Sequence, residues 1–194
     1  MTVVLKSGTS GDTAQVDSEN RLQTFATSQT ASTFAALAGD LYNINTETVT
    51  LTTSGATGLL YMKNTDSVPW VYSRIFYNAE VSTGGSGDWL AEVLANPTTG
   101  TLISAGTAIT PHNLNFGSAK GLTSTCLKGA EGQTITDGTV RVSTIVPSSG
   151  ARVLIGFDSV IVEPGAGIGV RVTPPAGNTS MDIQVGFNMY RYIN

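Results

Sequence analysis

The feature that most constrains this chain of 194 residues is a rhythm. From Asp40 onward, apolar and polar residues alternate in short runs, and each run ends in Gly, Pro, Asn, Asp or Ser. Thr48–Thr53, Leu59–Asn64, Thr139–Val146, Arg152–Phe157, Gly167–Pro175 and Ser180–Ile193 are the clearest cases, and Leu41–Asn45, Leu102–Ser104 and Ser159–Gly165 read as further strands. Successive side chains of a strand point to opposite faces, so a period of two marks a strand with one face in a core. Roughly ten such runs occur, near the spacing of about 8–12 residues that suits a sandwich or barrel. Helix-period stripes are absent, which excludes βαβ units. No repeat of roughly 20–50 residues appears, which excludes solenoids and propellers. The expected fold is an all-β antiparallel sandwich, and the jelly roll is the arrangement that suits it best. Trp70–Val81 is the longest run. It is apolar on both its even and its odd positions, which predicts a strand covered on both sides by partners or subunits.

Composition agrees. Charged residues make up 12%, about half the usual ~25%. Thr, Ser, Gly and Asn take their place, and these residues suit half-exposed strands and turns. The net charge is −4 and the Arg residues are scattered, which argues against nucleic-acid binding through a basic face. Cys126 is the single cysteine, so no intramolecular disulfide can form. No run approaches the ~18 apolar residues of a membrane span. The start lacks a basic region followed by an apolar stretch, so no signal peptide is visible and assembly in a reducing cytoplasm is expected.

The pattern divides the chain into an arm, residues 1–27, and a β-domain, residues 28–194. In the arm, Val3 and Leu5 alternate in a first short strand, and Ser7–Asp12 is a turn cluster. Ala14–Val16 and Arg21–Phe25 flank a polar tip and read as a small hairpin. Val16, Leu22 and Phe25 are too few to make a core. Val3, Leu5, Val16, Leu22 and Phe25 are therefore the candidate docking residues of an arm that binds another protein. Residues 28–38 predict one short helix with Phe34, Ala35, Leu37 and Ala38 on its packed side, stopped by Gly39.

The search for chemistry yields no catalytic set. His112 is the one histidine, in a loop-like TPHNLNF context, and no G-x-S-x-G elbow is present. Cys126 lies in an alternating strand and reads as a small buried hydrophobe. Zinc needs three or four His/Cys ligands, and the chain has two such residues. Asp12, Asp17, Glu19 and Asp137 read as solvated turn acids. Asp158 and Glu163 are spaced to opposite faces of a strand, unlike a hydrolytic carboxylate pair. Gly165–Val170 leads into a strand and Pro-Pro instead of a helix, so it reads as a strand entry with a close approach and not as a dinucleotide loop. Asn178-Thr179-Ser180 fits the glycosylation pattern but reads as a turn. No enzyme, cofactor, metal or small-molecule substrate is expected.

Aromatic residues gather in two runs: Trp70, Tyr72, Phe76 and Tyr77, and then Phe187, Tyr190 and Tyr192. They serve a core and one sheet face, or a subunit interface, where Tyr and Trp are enriched, or a carbohydrate-binding face. Tyr72, Phe76, Phe187, Tyr190 and Tyr192 are the candidate interface residues.

The arm carries Gly11, Thr13, Ala14, Val16, Asp17, Arg21 and Leu22 in an order that resembles the start of many tailed-bacteriophage virion proteins. GDLYNINTETVTLTT, LLYMKN, NPTTGTLIS, NLNFGS and VIVEPGAGIGVRVTPPAGNTSMDIQVGFNMY are similar to the jelly-roll body of phage head decoration (cement) proteins. The resemblance spans nearly the whole chain and rests on pattern and short motifs. It implies a homotrimeric structural protein of the virion, assembled in the host cytoplasm. Such a protein binds the outer surface of the capsid and clamps the major capsid protein. A trimeric receptor-binding module of the tail or a vertex is the alternative of different class.

Overall fold

The computed structural model describes residues 15–16, 22–23, 30–85, 87–147 and 152–192. The chain divides into two units, Met1–Thr30 and Ala31–Asn194. In chain order the elements are β1 (Gln15–Val16), β2 (Leu22–Gln23), α1 (Ala31–Ala38), β3 (Leu41–Leu51), β4 (Thr57–Lys63), β5 (Trp70–Gly84) and β6 (Trp89–Ala95). They continue with α2 (Thr101–Ala105), β7 (Thr107–Ala108), β8 (His112–Asn113), β9 (Thr125–Lys128), β10 (Thr139–Val146), β11 (Arg152–Val162), β12 (Gly167–Thr173) and β13 (Asn178–Arg191).

In the first unit, β1 and β2 pair antiparallel with Val16 opposite Leu22. The predicted docking residues Val3, Leu5 and Phe25 lie outside the described residues.

The second unit is a sandwich of two antiparallel sheets. One has the order β10-β6-β12-β4-β9-β7 and the other β11-β5-β13-β3-β8. Its eight long strands pair in a nested series: β3 with β13, β4 with β12, β5 with β11 and β6 with β10. The inner faces meet in one core that holds Trp70, Tyr72, Ile75, Trp89, Met181 and Phe187, all buried.

Bulges explain where the sequence rhythm breaks. In β5, Tyr72 pairs with Met189 and Arg74 with Asn188, so Ser73 is an extra residue. Trp70 and Tyr72 face the core before it; Ile75, Tyr77 and Ala79 face the core after it. A single extra residue shifts the alternation by one and swaps the faces. Much of the apolar character on both even and odd positions therefore has an internal cause. It does not require a partner on each side of the strand, as the sequence suggested. A second bulge joins the predicted strands Leu41–Asn45 and Thr48–Thr53 into β3. Glu47 takes φ +59° there, an uncommon angle outside glycine. The Asn45 side chain accepts from the Glu47 amide at 2.8 Å, and buried Thr46 accepts from the Val185 amide at 3.0 Å. In β11, residues 157–159 stand opposite Ser73 alone, which joins two further predicted strands.

The predicted helix forms as α1 and ends in a Schellman arrangement. Gly39, at φ +73°, donates to Ala36, and Asp40 donates to Ala35. Its packed side differs from the expectation. Ala35 is buried, whereas Phe34 and Leu37 are 57% and 66% exposed. Leu102–Ser104, expected as a strand, belongs to the helical turn α2.

Candidate interaction face

The outer faces of the two sheets differ. On the six-stranded sheet, Tyr61, Leu94, Leu102 and Ile135 form a second small core, with Ile103 and Leu127 packed against it. The chain covers this face with α2 and the segment 129–138. Leu102 donates to Thr134 O at 3.1 Å, and Gly58 donates to Gln133 O at 2.7 Å. Asp137 fastens the far end of the segment. It accepts from the Thr98 hydroxyl at 2.6 Å and from the Thr98 and Thr99 amides at 2.8 and 2.9 Å. These bonds, the Thr98 hydroxyl first, hold its pKa down at about 2. Gly169 of the predicted glycine-rich entry lies beneath Ile135 and Pro97, so the close approach there is made by the chain itself.

On the five-stranded sheet the pairing lays out two apolar rows facing outward. Ile161, Val71, Tyr190 and Leu41 are successive partners across β11, β5, β13 and β3; Ile161 is exposed, Leu41 and Tyr190 are half-buried and Val71 is buried. Leu154, Phe76 and Gly186 make the second row. The Phe76 ring lies over Gly186; a Cβ there would stand 2.1 Å from Phe76 Cζ, so the ring fits because that position is glycine. Ile161 and Leu154 are about half exposed, at 52% and 53%. Between the rows runs a polar stripe in which Asn43 donates to the Asn188 side chain at 2.7 Å. Toward the other end the face is polar, with Thr50 donating to Asp182 at 2.6 Å.

The apolar end of this face continues onto α1. A small cleft is lined by Ala31, Phe34, Ala35, Tyr190, Arg191 and Tyr192. The loop after β8 closes against the same helix, with Asn115 donating to Leu37 O at 3.2 Å. It leaves Phe116 96% exposed.

Beneath this end sits a charged clasp. Asp40, nearly buried, accepts from Lys120 Nζ at 2.7 Å and from Arg191 Nη1 at 3.3 Å. Arg191 Nε also donates to Asp66 at 3.2 Å, and Asp66 accepts from the Trp70 indole and the Thr123 hydroxyl. Burial alone would raise the Asp66 pKa. The bonds from Thr123, Trp70 and Arg191 outweigh it and leave the carboxyl below its usual range.

The five predicted interface residues separate. Phe76, Tyr190 and Tyr192 lie on or beside this face, the first two half-buried and the third exposed. Tyr72 and Phe187 lie in the core of the single chain. Each is 1% exposed in the single chain, and their rings meet edge to face at 5.0 Å. They point inward because they lie on the core side of the Ser73 bulge and of β13, a phase that the sequence alternation did not reveal. Sequence reasoning missed Phe34, Leu154 and Ile161 as surface residues. The half-apolar helix carried a signal for Phe34.

The remaining candidates take structural places. Cys126 is buried, and burial pushes its thiol up to about 12. His112 is exposed in β8. Asn178 is buried and donates to Leu51 O and Thr53 O, which removes it as a surface glycosylation site. Among the described residues no group of three His, Cys, Asp or Glu could hold a metal ion. No helix among them is long and apolar enough to cross a membrane.

A scan of protein-family models and a search of curated proteins found no match for the chain.

Proposed function

We propose that this chain is a structural protein of a virion that binds the outer surface of a phage capsid and stabilises the shell. The observation that supports this most is the group of exposed apolar side chains on the five-stranded sheet and α1: Phe34, Leu37, Leu154 and Ile161. Contiguous exposed apolar surface marks interaction sites. The nested pairing of the eight long strands supports a jelly roll, the body that the phage resemblance implies. In this reading Phe76, Tyr190 and Tyr192 meet a neighbouring protomer of a homotrimer. The leader carrying the Val16–Leu22 hairpin docks on the major capsid protein. Three leaders per trimer would add avidity from contacts that are weak singly.

The ratio of this protein to the major capsid protein in purified virions tests the reading. Quantitative mass spectrometry should give about one copy per capsid subunit or per few subunits. A few copies against hundreds would instead place the protein on the tail or a vertex, as a receptor-binding module. Deleting residues 1–27 should leave a folded body that no longer co-sediments with capsids. Undiminished co-sedimentation would overturn the role of the leader.

A further inference from the structure

The sandwich is open along one side. β10 is an edge of the six-stranded sheet and β11 an edge of the five-stranded sheet, and a groove of about 550 Å³ lies between them. Val93, Val142, Val160 and Ile168 line it. The buried rings of Tyr72 and Phe187 form its floor, and the exposed Arg141 and Glu163 stand at its mouth. Neither charge has an ion-pair partner among the described residues. Among the described residues each edge strand pairs on one side only, so both offer main-chain donors and acceptors outward. An apolar slot between two free strand edges suits an extended apolar peptide.

We propose that the groove receives the segment Val3–Leu5 of a second copy of this chain. The body uses its own long apolar runs in strands and cores, and Val16 and Leu22 lie in the paired strands β1 and β2. Val3-Val4-Leu5 is the one run of three large aliphatic residues in the leader. In an extended segment Val3 and Leu5 share a face and enter the groove, while Lys6 turns outward. Its ammonium then meets the Glu163 carboxylate, a charge match at the mouth. Reach is sufficient. Residues 7–14 and 24–30, on either side of the β1–β2 hairpin, span up to about 50 Å when extended, whereas a body of this size has a radius of gyration of about 15 Å. The groove borders Ile161, so the inserted segment continues the apolar face assigned above to a neighbouring protomer. The inference rests on that self-association. It assigns the first residues of the leader to the neighbour and leaves the hairpin to the shell.

The test uses the full chain in size-exclusion chromatography with light scattering. Leu5→Asp, a change outside the body, should raise the dissociation constant of the oligomer about thirtyfold or more by placing a charge in an apolar slot. Glu163→Lys should weaken it a few-fold, and Lys6→Glu combined with Glu163→Lys should restore it. Mixing Leu5→Cys with Val142→Cys chains should give a disulfide-linked heterodimer, and Thr50→Cys, on the polar end of the outer face, should not replace Val142→Cys. An oligomer that keeps its mass in Leu5→Asp overturns the inference and leaves capsid binding standing. A monomeric native chain overturns it, as does a disulfide formed within one chain that carries both Leu5→Cys and Val142→Cys. If Val142→Trp removes capsid binding while the oligomer persists, a capsid segment is the occupant and the inference fails.

Discussion

The outer face of the six-stranded sheet is closed by the chain itself, whereas the apolar end of the five-stranded sheet is open. The first carries Tyr61, Leu94, Leu102 and Ile135 under α2 and the 129–138 segment. The second carries Ile161, Leu154 and Phe76, with the short helix α1 beside it, and that helix turns Phe34 and Leu37 to solvent. Both faces are sheet surfaces of one domain, so fold alone does not decide the difference. A face that the chain covers contributes to folding. A face that it leaves apolar contributes only when something else arrives.

The largest effect should fall on the closed face. Leu102→Ala removes a fully buried side chain from the small second core and should lower stability by about 2–5 kcal/mol, read as a lower urea midpoint at unchanged slope. A loss under about 1 kcal/mol would mean that the cover is loosely packed, and the contrast between the faces would fade.

The clasp comes next. Asp40 joins the end of α1 to β13 and to the 120–123 loop through Arg191 and Lys120. Its side chain is 5% exposed. Asp40→Ala leaves Arg191 short of a partner in a partly buried site and should cost about 3 kcal/mol. The open end should loosen first, seen as faster hydrogen exchange in α1 than in β4. Equal exchange in both would show that the two ends respond together.

Acid should act on both regions through depressed carboxyls. Asp137 on the closed side is held at about 2 and Asp66 in the clasp lies below its usual range. For a carboxyl whose folded pKa is lowered, the added stability is present above the unfolded value, near ~3.9 for Asp, and is lost as pH falls toward the folded one. The melting temperature should therefore drop between pH ~4 and ~2. Asp137→Asn should melt lower at pH 7 and flatten that acid slope. An unchanged slope would remove Asp137 from the cover.

These regions were not equally legible in the sequence. The alternation from Asp40 onward predicts strands, and strands form. The helix that Gly39 stops was also readable, because a glycine past a short apolar run suits a left-handed cap. What the pattern hid was phase. Ser73 carries no mark of a bulge, yet it decides that Tyr72 faces the core and Phe76 the solvent. The bulges at 46–47 and 157–159 hid in the same way and split two strands into four. The cover over Tyr61 was unreadable because Gly129–Gly138 is irregular. Its one buried apolar side chain, Ile135, looks like any turn residue until Thr98 and Thr99 bind Asp137 and Thr101 binds Thr134. The open groove depends on which strands become edges, a property of pairing between distant segments that no local pattern carries.

The smallest effect on folding should come from the open face, and it sharpens the comparison most. Ile161→Ser and Leu154→Ser change half-exposed side chains on an edge strand, so each should alter stability by about 0.5 kcal/mol or less. If the face serves only as surface, nothing else will change. If it meets a neighbour, the same substitutions should weaken self-association about tenfold each, as truncation of interface anchors does. A variant that melts like the native chain but elutes as monomer separates folding from assembly in a way that Leu102→Ala cannot, because Leu102 serves the fold alone. A variant that melts several degrees lower instead would mean that Ile161 and Leu154 are already packed within the single chain. The open face would then be a second closed one.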